Sequence, residues 1–474
     1  MGDWHTDTAD WLSVPDAIER ILAAVRPLPA ETVPLPDALG RTLAEPAVSP
    51  IDQPPWDNSA MDGFAVRGAD VQGATREAPV RLTVVDDIPA GGFPARPIGP
   101  GEAARIMTGA PVPEGADSVI RVEHTSAWPG PERDGAPPRA APAPVRPAPR
   151  PADRTAAARP AEPAADAAGG VGTTLLVFSD ADAGRNIRRR GEDVRAGTRV
   201  LEPGCVLGPA EIGLLAATGH AVAPVRRRPR IAILSNGDEL VDLDRFDEVL
   251  AGRRIVNSNA YALAAAVTWA GGEPVPLGIA ADDPADLRAR LAAGRDADAI
   301  VTTAGASVGQ HDLVKDALAG LGYRLDFWRI RMRPGSPFSF GRLDGVPVFG
   351  LAGNPVSALV TFEILVRPAI RRMLGRRAVH APTLRVRAAE RIPGAGRLTH
   401  FPRARLERDA DGRLAARLTG SQGSGVLSSV AAADALLVVP AGVEAVAPGE
   451  EIVAIPLHER DPAAPDLGFS PAAT

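Results

Sequence analysis

Between residues 229 and 376 the apolar positions come in two alternating kinds of run. Short continuous runs (231–234, 275–279, 299–303 and 346–351) are each followed by a stretch whose apolar residues recur every third or fourth position (259–270, 284–293, 313–321 and 355–373). A short apolar run bounded by turn residues reads as a strand buried on both faces, and the wider spacing as one side of a helix. Strand, helix, strand at this spacing predicts βαβ units: a mostly parallel sheet with helices on both faces.

The flanking chain is patterned differently. Val14, Ala17, Ile18, Ile21, Leu22 and Val25 form a helical stripe opened by Ser13 and Pro15 and ended by Pro27 and Pro29. Short strand-like pieces (32–35, 42–48) lead into an extended arm at 49–56. Alternating runs at 80–85, 103–107, 118–122 and 174–178 predict a small β domain. Residues 186–225, with a helix at 209–218, are expected to join the N-terminal helix in a discontinuous domain. Past 377 four more alternating runs (384–388, 414–418, 435–439, 451–455) predict a C-terminal β-barrel or sandwich. The expected fold class is multidomain α/β plus β. Residues 1–48 with 184–228 and 49–183 form two N-terminal mixed or β domains, 229–376 the α/β domain and 377–458 the C-terminal β domain, with a loose tail at 459–474.

A chain of 474 residues is too long for one core, in keeping with several domains. With 48 glycines and 48 prolines, turns and interrupted strands are favoured over long helices. Prolines, alanines and arginines dominate 129–170, too little apolar area to offset the entropy of ordering, so this tract is expected to be a disordered insertion. Lys315 is the only lysine, so an arginine where a lysine is expected carries little meaning. A net charge of −6 with scattered basic residues argues against a nucleic-acid partner; the runs 188–190 and 226–228 read as solvated loops. Cys205 is alone, which excludes a disulfide framework and a cysteine metal cluster. No apolar signal core opens the chain and no run is long enough to span a membrane, so a cytoplasmic location without a membrane partner is expected.

Candidate chemistry collects at the carboxyl ends of the buried strands, where open α/β sheets bind ligands. The third strand runs into Thr302-Thr-Ala-Gly-Ala-Ser-Val-Gly-Gln-His-Asp312, and the last into Gly350-Leu-Ala-Gly-Asn-Pro-Val-Ser357. Each is a small-residue turn opening a helix, the arrangement that turns backbone N–H groups toward an anion. Thr303, Gly305, Ser307 and Gly309 belong to the first turn; Gly353, Asn354, Pro355 and Ser357 belong to the second. Acidic residues stand at the same ends: Glu239, Asp282, Asp283 and Asp312. Carboxylates beside anion cradles suit Mg²⁺, which joins them to phosphate oxygens. Asp312 and Asp283 are equally read as helix N-caps, and Glu239 as a solvated first-turn charge. Arg329, Arg331 and Arg333 alternate, so all three share one face if they lie on a strand, and a row of guanidinium groups suits a multiply charged oxyanion.

Eight motifs in order resemble the molybdopterin molybdenumtransferase family, that is bacterial MoeA and the E domain of gephyrin. They are Ser59-Ala-Met-Asp-Gly-Phe-Ala65, Arg105-Ile-Met-Thr-Gly-Ala-Pro-Val-Pro-Glu-Gly-Ala-Asp117, Asn186-Ile-Arg through Gly191-Glu-Asp193, and Gly237-Asp-Glu-Leu240. The rest are Ser307-Val-Gly through Asp312, Met332-Arg-Pro-Gly335, Gly353-Asn-Pro-Val-Ser357 and Gln422-Gly-Ser424. The resemblance implies a molybdopterin-binding α/β domain and an elongated homodimer with the active site between subunits. It implies insertion of molybdate into adenylylated molybdopterin with Mg²⁺ and release of AMP, with an upstream adenylyltransferase as a candidate partner. It assigns catalytic roles to Asp62, Asp193, Glu239, Asp312 and Arg333. Cofactor contacts fall on Thr108, Thr303, Gly305, Ser307, Gly309, Arg329, Ser336, Gly353, Asn354, Pro355, Ser357 and Ser424. Glu239, Asp282, Asp283 and Asp312 are the implied metal ligands. Departures stand at Ala304, Ser336 and Ala352, where the family has glycine, lysine and proline. They leave open a non-catalytic dimeric scaffold of the same family.

Overall fold

The computed structural model describes residues 11–128, 169–303, 317, 319–409 and 411–457. They form two compact units. One holds residues up to Pro46, Leu201–Gly213 and the chain from His220 onward; the other holds Ala47–Val200 and Leu214–Gly219.

The larger unit is built on a six-stranded sheet. Its order is Glu273–Ala280, Arg230–Asn236, Ala299–Thr302, Val346–Gly350, Ser339–Leu343 and Arg324–Trp328. The first four strands are parallel, as the pattern predicts; the last two are an antiparallel addition on one edge. Successive side chains on a strand face opposite ways, and the core divides accordingly. Ile231, Ile233, Val301 and Phe349 pack in one cluster with Leu263 and Val267 of the helix Ser258–Ala270 and Ile370 of Arg367–Met373. Ala232, Leu234, Ile300 and Val348 pack on the opposite face with Leu287 and Leu291 of Pro284–Ala293. The expected single helix over 355–373 is three pieces, Pro355–Thr361, a π-helical Phe362–Val366 and Arg367–Met373. Pro368 has no N–H to return to the preceding turn, which loosens the ladder where the π segment lies.

Two expectations about the N-terminal parts change. The helix Val14–Ala24 is capped by Ser13 as predicted, its Oγ accepting from Asp16 N at 3.2 Å. Its apolar stripe (Val14, Ala17, Ile21) belongs to the core of the α/β sheet, however, and not to a separate linker core. The strand Ala30–Pro34 does pair with Val222–Arg226. Residues 184–200 lie in the smaller unit, because Asn58–Ser59 pairs with Ile187–Arg188 and Val194 bonds to Gln53.

The smaller unit is the expected β domain. Its sheet runs Ser118–Arg121, Gly63–Val66, Glu102–Ile106, Val80–Ile88 and Thr174–Val177 over a core of Phe64, Val66, Leu82, Val84, Ile120 and Leu175. The insertion lies outside the described residues except at its end. There Gly169 packs beside the Phe64 ring and the Gly170 carbonyl accepts from Thr173 N at 3.0 Å, so these two glycines belong to the fold.

At the carboxyl end, Leu384–Ala388, Leu414–Leu418, Arg403–Arg408, Ala435–Val438 and Glu451–Pro456 close into a barrel. Of the two C-terminal architectures the pattern allowed, the barrel is the one formed. The expected tail and most of the helix over 313–321 lie outside the described residues. Among the described residues no helix is long and apolar enough to cross a membrane.

Candidate functional site

A cleft of about 1040 Å³ in the bigger unit opens where the last parallel strand meets the C-terminal barrel. Three chain segments build it. The strand Val346–Gly350 ends with Leu351 N donating to Thr302 O at 2.8 Å. The turn that follows is held by Asn259 Nδ2, which donates to Gly353 O at 2.7 Å, and leads to the N-terminus of Pro355–Thr361. Asn354 is the N-cap and Pro355 the first helical residue, where its missing N–H costs nothing. Ala352, Asn354 and the buried Ser357 line the cleft, and the Ser424 carbonyl accepts from Val356 N at 3.1 Å. Of the predicted second-turn residues, the structure therefore brings Asn354 and Ser357 together with Ser424 of the C-terminal motif, with Gly353 and Pro355 as their frame.

The arginine row is corrected. Arg329, Arg331 and Arg333 do not lie along one strand: Arg329 has φ +67 and only Met332–Arg333 is extended, pairing with Thr399–His400. Arg329 and Arg333 nevertheless both line the cleft; Arg331 does not. The guanidinium of Arg329 sits over the rings of Trp11 (5.0 Å) and Trp328 (4.2 Å), which orient it by cation–π attraction. Trp11 reaches this place because Leu12 bridges to Ile330 and its carbonyl accepts from Arg331 N at 2.9 Å. At Gly335 the backbone has φ +98 and an added Cβ would stand 2.3 Å from Thr361 Cγ2, so the turn needs glycine. Ser336 lines the cleft with its hydroxyl donated to the Met332 carbonyl.

Sequence reasoning missed two further contributors. Arg397, on the exposed turn between Ala395 and Leu398, adds a third guanidinium, and among the described residues no carboxylate lines this cleft. Arg403 is fully buried and shapes the loop carrying Ser424. Its Nε donates to Ser429 Oγ at 3.1 Å and its Nη2 to Gly423 O at 3.1 Å, while Gln422 Oε1 accepts from Arg403 N at 2.8 Å. Burial pushes the Arg403 guanidinium below its ordinary value. The motif around Gln422 was a signal for this loop; nothing in the local sequence marked Arg403 or Arg397.

The acidic residues gather less closely than predicted. Asp283 is a helix N-cap, its carboxylate accepting from Asp286 N at 2.9 Å, so the capping reading holds there and the metal reading is withdrawn. Asp282 accepts from Asn236 Nδ2 at 2.7 Å, and its N–H donates to Asp238 at 3.2 Å. Glu239 is exposed and folds its carboxylate over Gly237, where a Cβ would meet Oε2 at 2.4 Å. The Thr303 hydroxyl donates to Ser235 Oγ at 3.2 Å inside the strand ends. The buried Asn236 Oδ1 has no hydrogen-bond partner, and a hard oxygen donor beside the Asp282 carboxylate suits Mg²⁺. Among the described residues no three His, Cys, Asp or Glu side chains come together as a metal set. Gly305, Ser307, Gly309 and Asp312, with Ala304, lie outside the described residues.

In the smaller unit the antiparallel pairing of Gly63–Val66 with Glu102–Ile106 brings Asp62 and Thr108 together. Asp62 Oδ1 accepts from Thr108 N at 2.7 Å and from its Oγ1 at 2.8 Å, and these bonds hold the carboxyl below its usual range. Asp193 is exposed on a loop fastened by its own N–H to Gln53 O at 3.0 Å.

Comparison with known proteins accounts for this set of motifs. Residues 12–219 match the MoeA N-terminal region (domain I and II), residues 232–372 a probable molybdopterin binding domain, and residues 385–457 the MoeA C-terminal region (domain IV). The chain belongs to the MoeA family. It is 37% identical over 441 residues to molybdopterin molybdenumtransferase 2 of Mycobacterium tuberculosis, covering 92% of this chain and 96% of that protein. It is 35% identical to the molybdopterin molybdenumtransferase of Nostoc sp., covering 90% and 88%. Among solved structures, a molybdopterin biosynthesis MoeA protein from Pyrococcus horikoshii matches with TM-score 0.71 at 30% identity, covering 95% of this chain and 100% of that one. The cleft residues therefore come from two MoeA regions, the molybdopterin-binding domain and domain IV, with Trp11 just ahead of the N-terminal match.

Proposed function

We propose that this protein is a molybdopterin molybdenumtransferase of molybdenum cofactor biosynthesis, inserting molybdate into adenylylated molybdopterin and releasing AMP. The carrying observation is the cleft itself, in which Arg329, Arg333 and Arg397 stand beside the N-terminus of Pro355–Thr361 and, among the described residues, no carboxylate lines it. Such a surface binds oxyanions, and each guanidinium can grip two oxygens at once. Asn354, Ser357 and Ser424 supply neutral polar groups that orient the ligand. Glu239, Asp282 and Asp312 would hold Mg²⁺, and Asn236, whose Oδ1 is orphaned, is bonded to Asp282 through its Nδ2. When bound, the ion neutralises phosphate oxygens of the nucleotide. Asp62, Thr108 and Asp193 are assigned to the same reaction as residues presented by the smaller unit, and the active protein is a homodimer.

One observation favours the scaffold reading: Ser336 turns its hydroxyl onto the Met332 carbonyl where the family places a charged lysine. A molybdenum-insertion assay separates the two. Active wild type is expected, with Arg333→Ala slower by roughly 10²-fold, the scale of losing one preorganised charge donor. Asp312→Asn is expected to keep the fold, since Asn caps as well as Asp, and to lose metal-dependent turnover. Inactive wild type that still dimerises, with activity restored by Ser336→Lys together with Ala304→Gly and Ala352→Pro, would establish the scaffold instead.

A further inference from the structure

The backbone of Arg329 has φ +67, the left-handed region that a long side chain enters only where its surroundings compel it. Here the compulsion comes from both directions along the chain. The Phe338 carbonyl accepts from Arg329 N at 2.8 Å, and the Ser336 carbonyl accepts from Ile330 N at 3.1 Å. Ile330 is fully buried in the core of the α/β sheet, and the Phe327 ring packs against those of Phe338 and Phe340. Core packing before and after it thus fixes the backbone of Arg329, whose side chain lines the strand-end cleft.

Two indoles then fix the guanidinium. Its central carbon lies 4.2 Å from the centre of the Trp328 ring and 5.0 Å from that of Trp11. Trp328 is the preceding residue, but Trp11 comes from the far end of the chain and is held there by a strap. Leu12 forms a parallel bridge with Ile330, its carbonyl accepts from Arg331 N at 2.9 Å, and its side chain packs on the same core. Trp11 itself lines the cleft. Contact with a ring face attracts a guanidinium without supplying an acceptor to its N–H fork, so these contacts leave the fork to an oxyanion. They also restrict a side chain that would otherwise lose its rotamer freedom on binding.

We propose that Trp11 is a positioning residue of the oxyanion site, acting through Arg329. The transferase reading enters only in naming the anion, molybdate. It follows that the arginine at this place is not an idle substitute for lysine: Arg329→Lys keeps the charge but loses the planar fork that the two rings orient.

The test is calorimetric titration of the full-length chain with sodium molybdate, against sodium chloride at matched ionic strength, in a double-mutant cycle of Trp11 and Arg329. Trp11→Leu keeps an apolar side chain but no ring, and should weaken binding roughly tenfold, the scale of a partly desolvated cation–π contact. Trp11→Phe, which keeps a ring face, should recover most of the loss. Arg329→Ala should weaken binding at least as much as Trp11→Leu, and adding Trp11→Leu to it should change nothing further. Arg329→Lys should bind as weakly as Trp11→Leu. A purely structural role for Trp11 would instead give the same loss in both backgrounds. That result would overturn the inference, as would unchanged binding in Trp11→Leu, no recovery in Trp11→Phe, or no heat from wild type beyond the chloride control. The molybdenum-insertion assay judges the transferase reading separately. Molybdate bound with the expected pattern but never inserted would fail that reading and leave this inference standing; insertion at the same kcat/KM by wild type and Trp11→Leu would do the reverse.

Discussion

His400 ties the cleft to the barrel. It is buried, its Nδ1 lies 2.8 Å from the Pro393 carbonyl, and its backbone pairs with that of Arg333. Burial, with the charges of Arg333 and Arg403 adding to it, holds the imidazole below its ordinary value of 6.5. A depressed value means the unfolded chain takes up the proton first as pH falls. The stability contributed by neutral His400 is thus complete above 6.5 and is lost as pH drops from there toward the folded-state value. The urea midpoint is expected to fall between about pH 7.5 and about pH 5.5, and to fall less in His400→Gln. Equal pH dependence in the two proteins would mean another group carries the effect. The smaller unit carries a carboxylate case of the same kind: Asp62, held down by Thr108, contributes stability that is lost as pH falls below its ordinary value of 3.8.

Turns rather than regular elements do most of the positioning. The segment from Trp328 to Ser336 holds one left-handed arginine, a two-residue strand and a glycine with φ +98, and it still delivers Arg329 and Arg333 to one cleft. Gly335→Ala is expected to cost about 2–4 kcal/mol in chemical denaturation, from the left-handed backbone and the clash with Thr361 together. Adding Thr361→Ser removes the methyl that a Cβ meets while keeping the hydroxyl bonded to Ser357 O at 2.7 Å. The double variant should recover the steric share and keep the dihedral share. No recovery would show that the clash is relieved some other way.

For the whole molecule, the described residues on either side of the tract between Trp128 and Gly169 are joined by paired backbone. Ser126 N donates to Leu176 O at 2.9 Å and Phe178 N to His124 O at 2.8 Å. Those bonds join the flanks to each other directly. Replacing residues 131–167 with a short Gly/Ser linker, and keeping Gly169 and Gly170, is expected to leave the melting temperature unchanged. Sedimentation should give the mass of a dimer with and without the tract. A large drop in melting temperature, or a monomer only after the deletion, would assign the tract a structural role.

The parallel sheet, its helices, the β domain and the C-terminal β architecture were all legible in the sequence, because burial on one face or two imposes a period that survives in the order of residues. The glycine and proline turns were legible for the same kind of reason: few residues tolerate those backbone angles. What the period does not encode is which distant segments meet. The N-terminal helix packs on the α/β sheet, Trp11 lies over Arg329, and Arg397 and Gln422 come from the C-terminal region to the strand ends. Arg228 is exposed, as its solvated reading expects, yet it also lines a cleft with Arg41 and Arg371. Local pattern determines elements; contacts between residues far apart in the chain depend on how whole surfaces fit, and only the tertiary structure decided those.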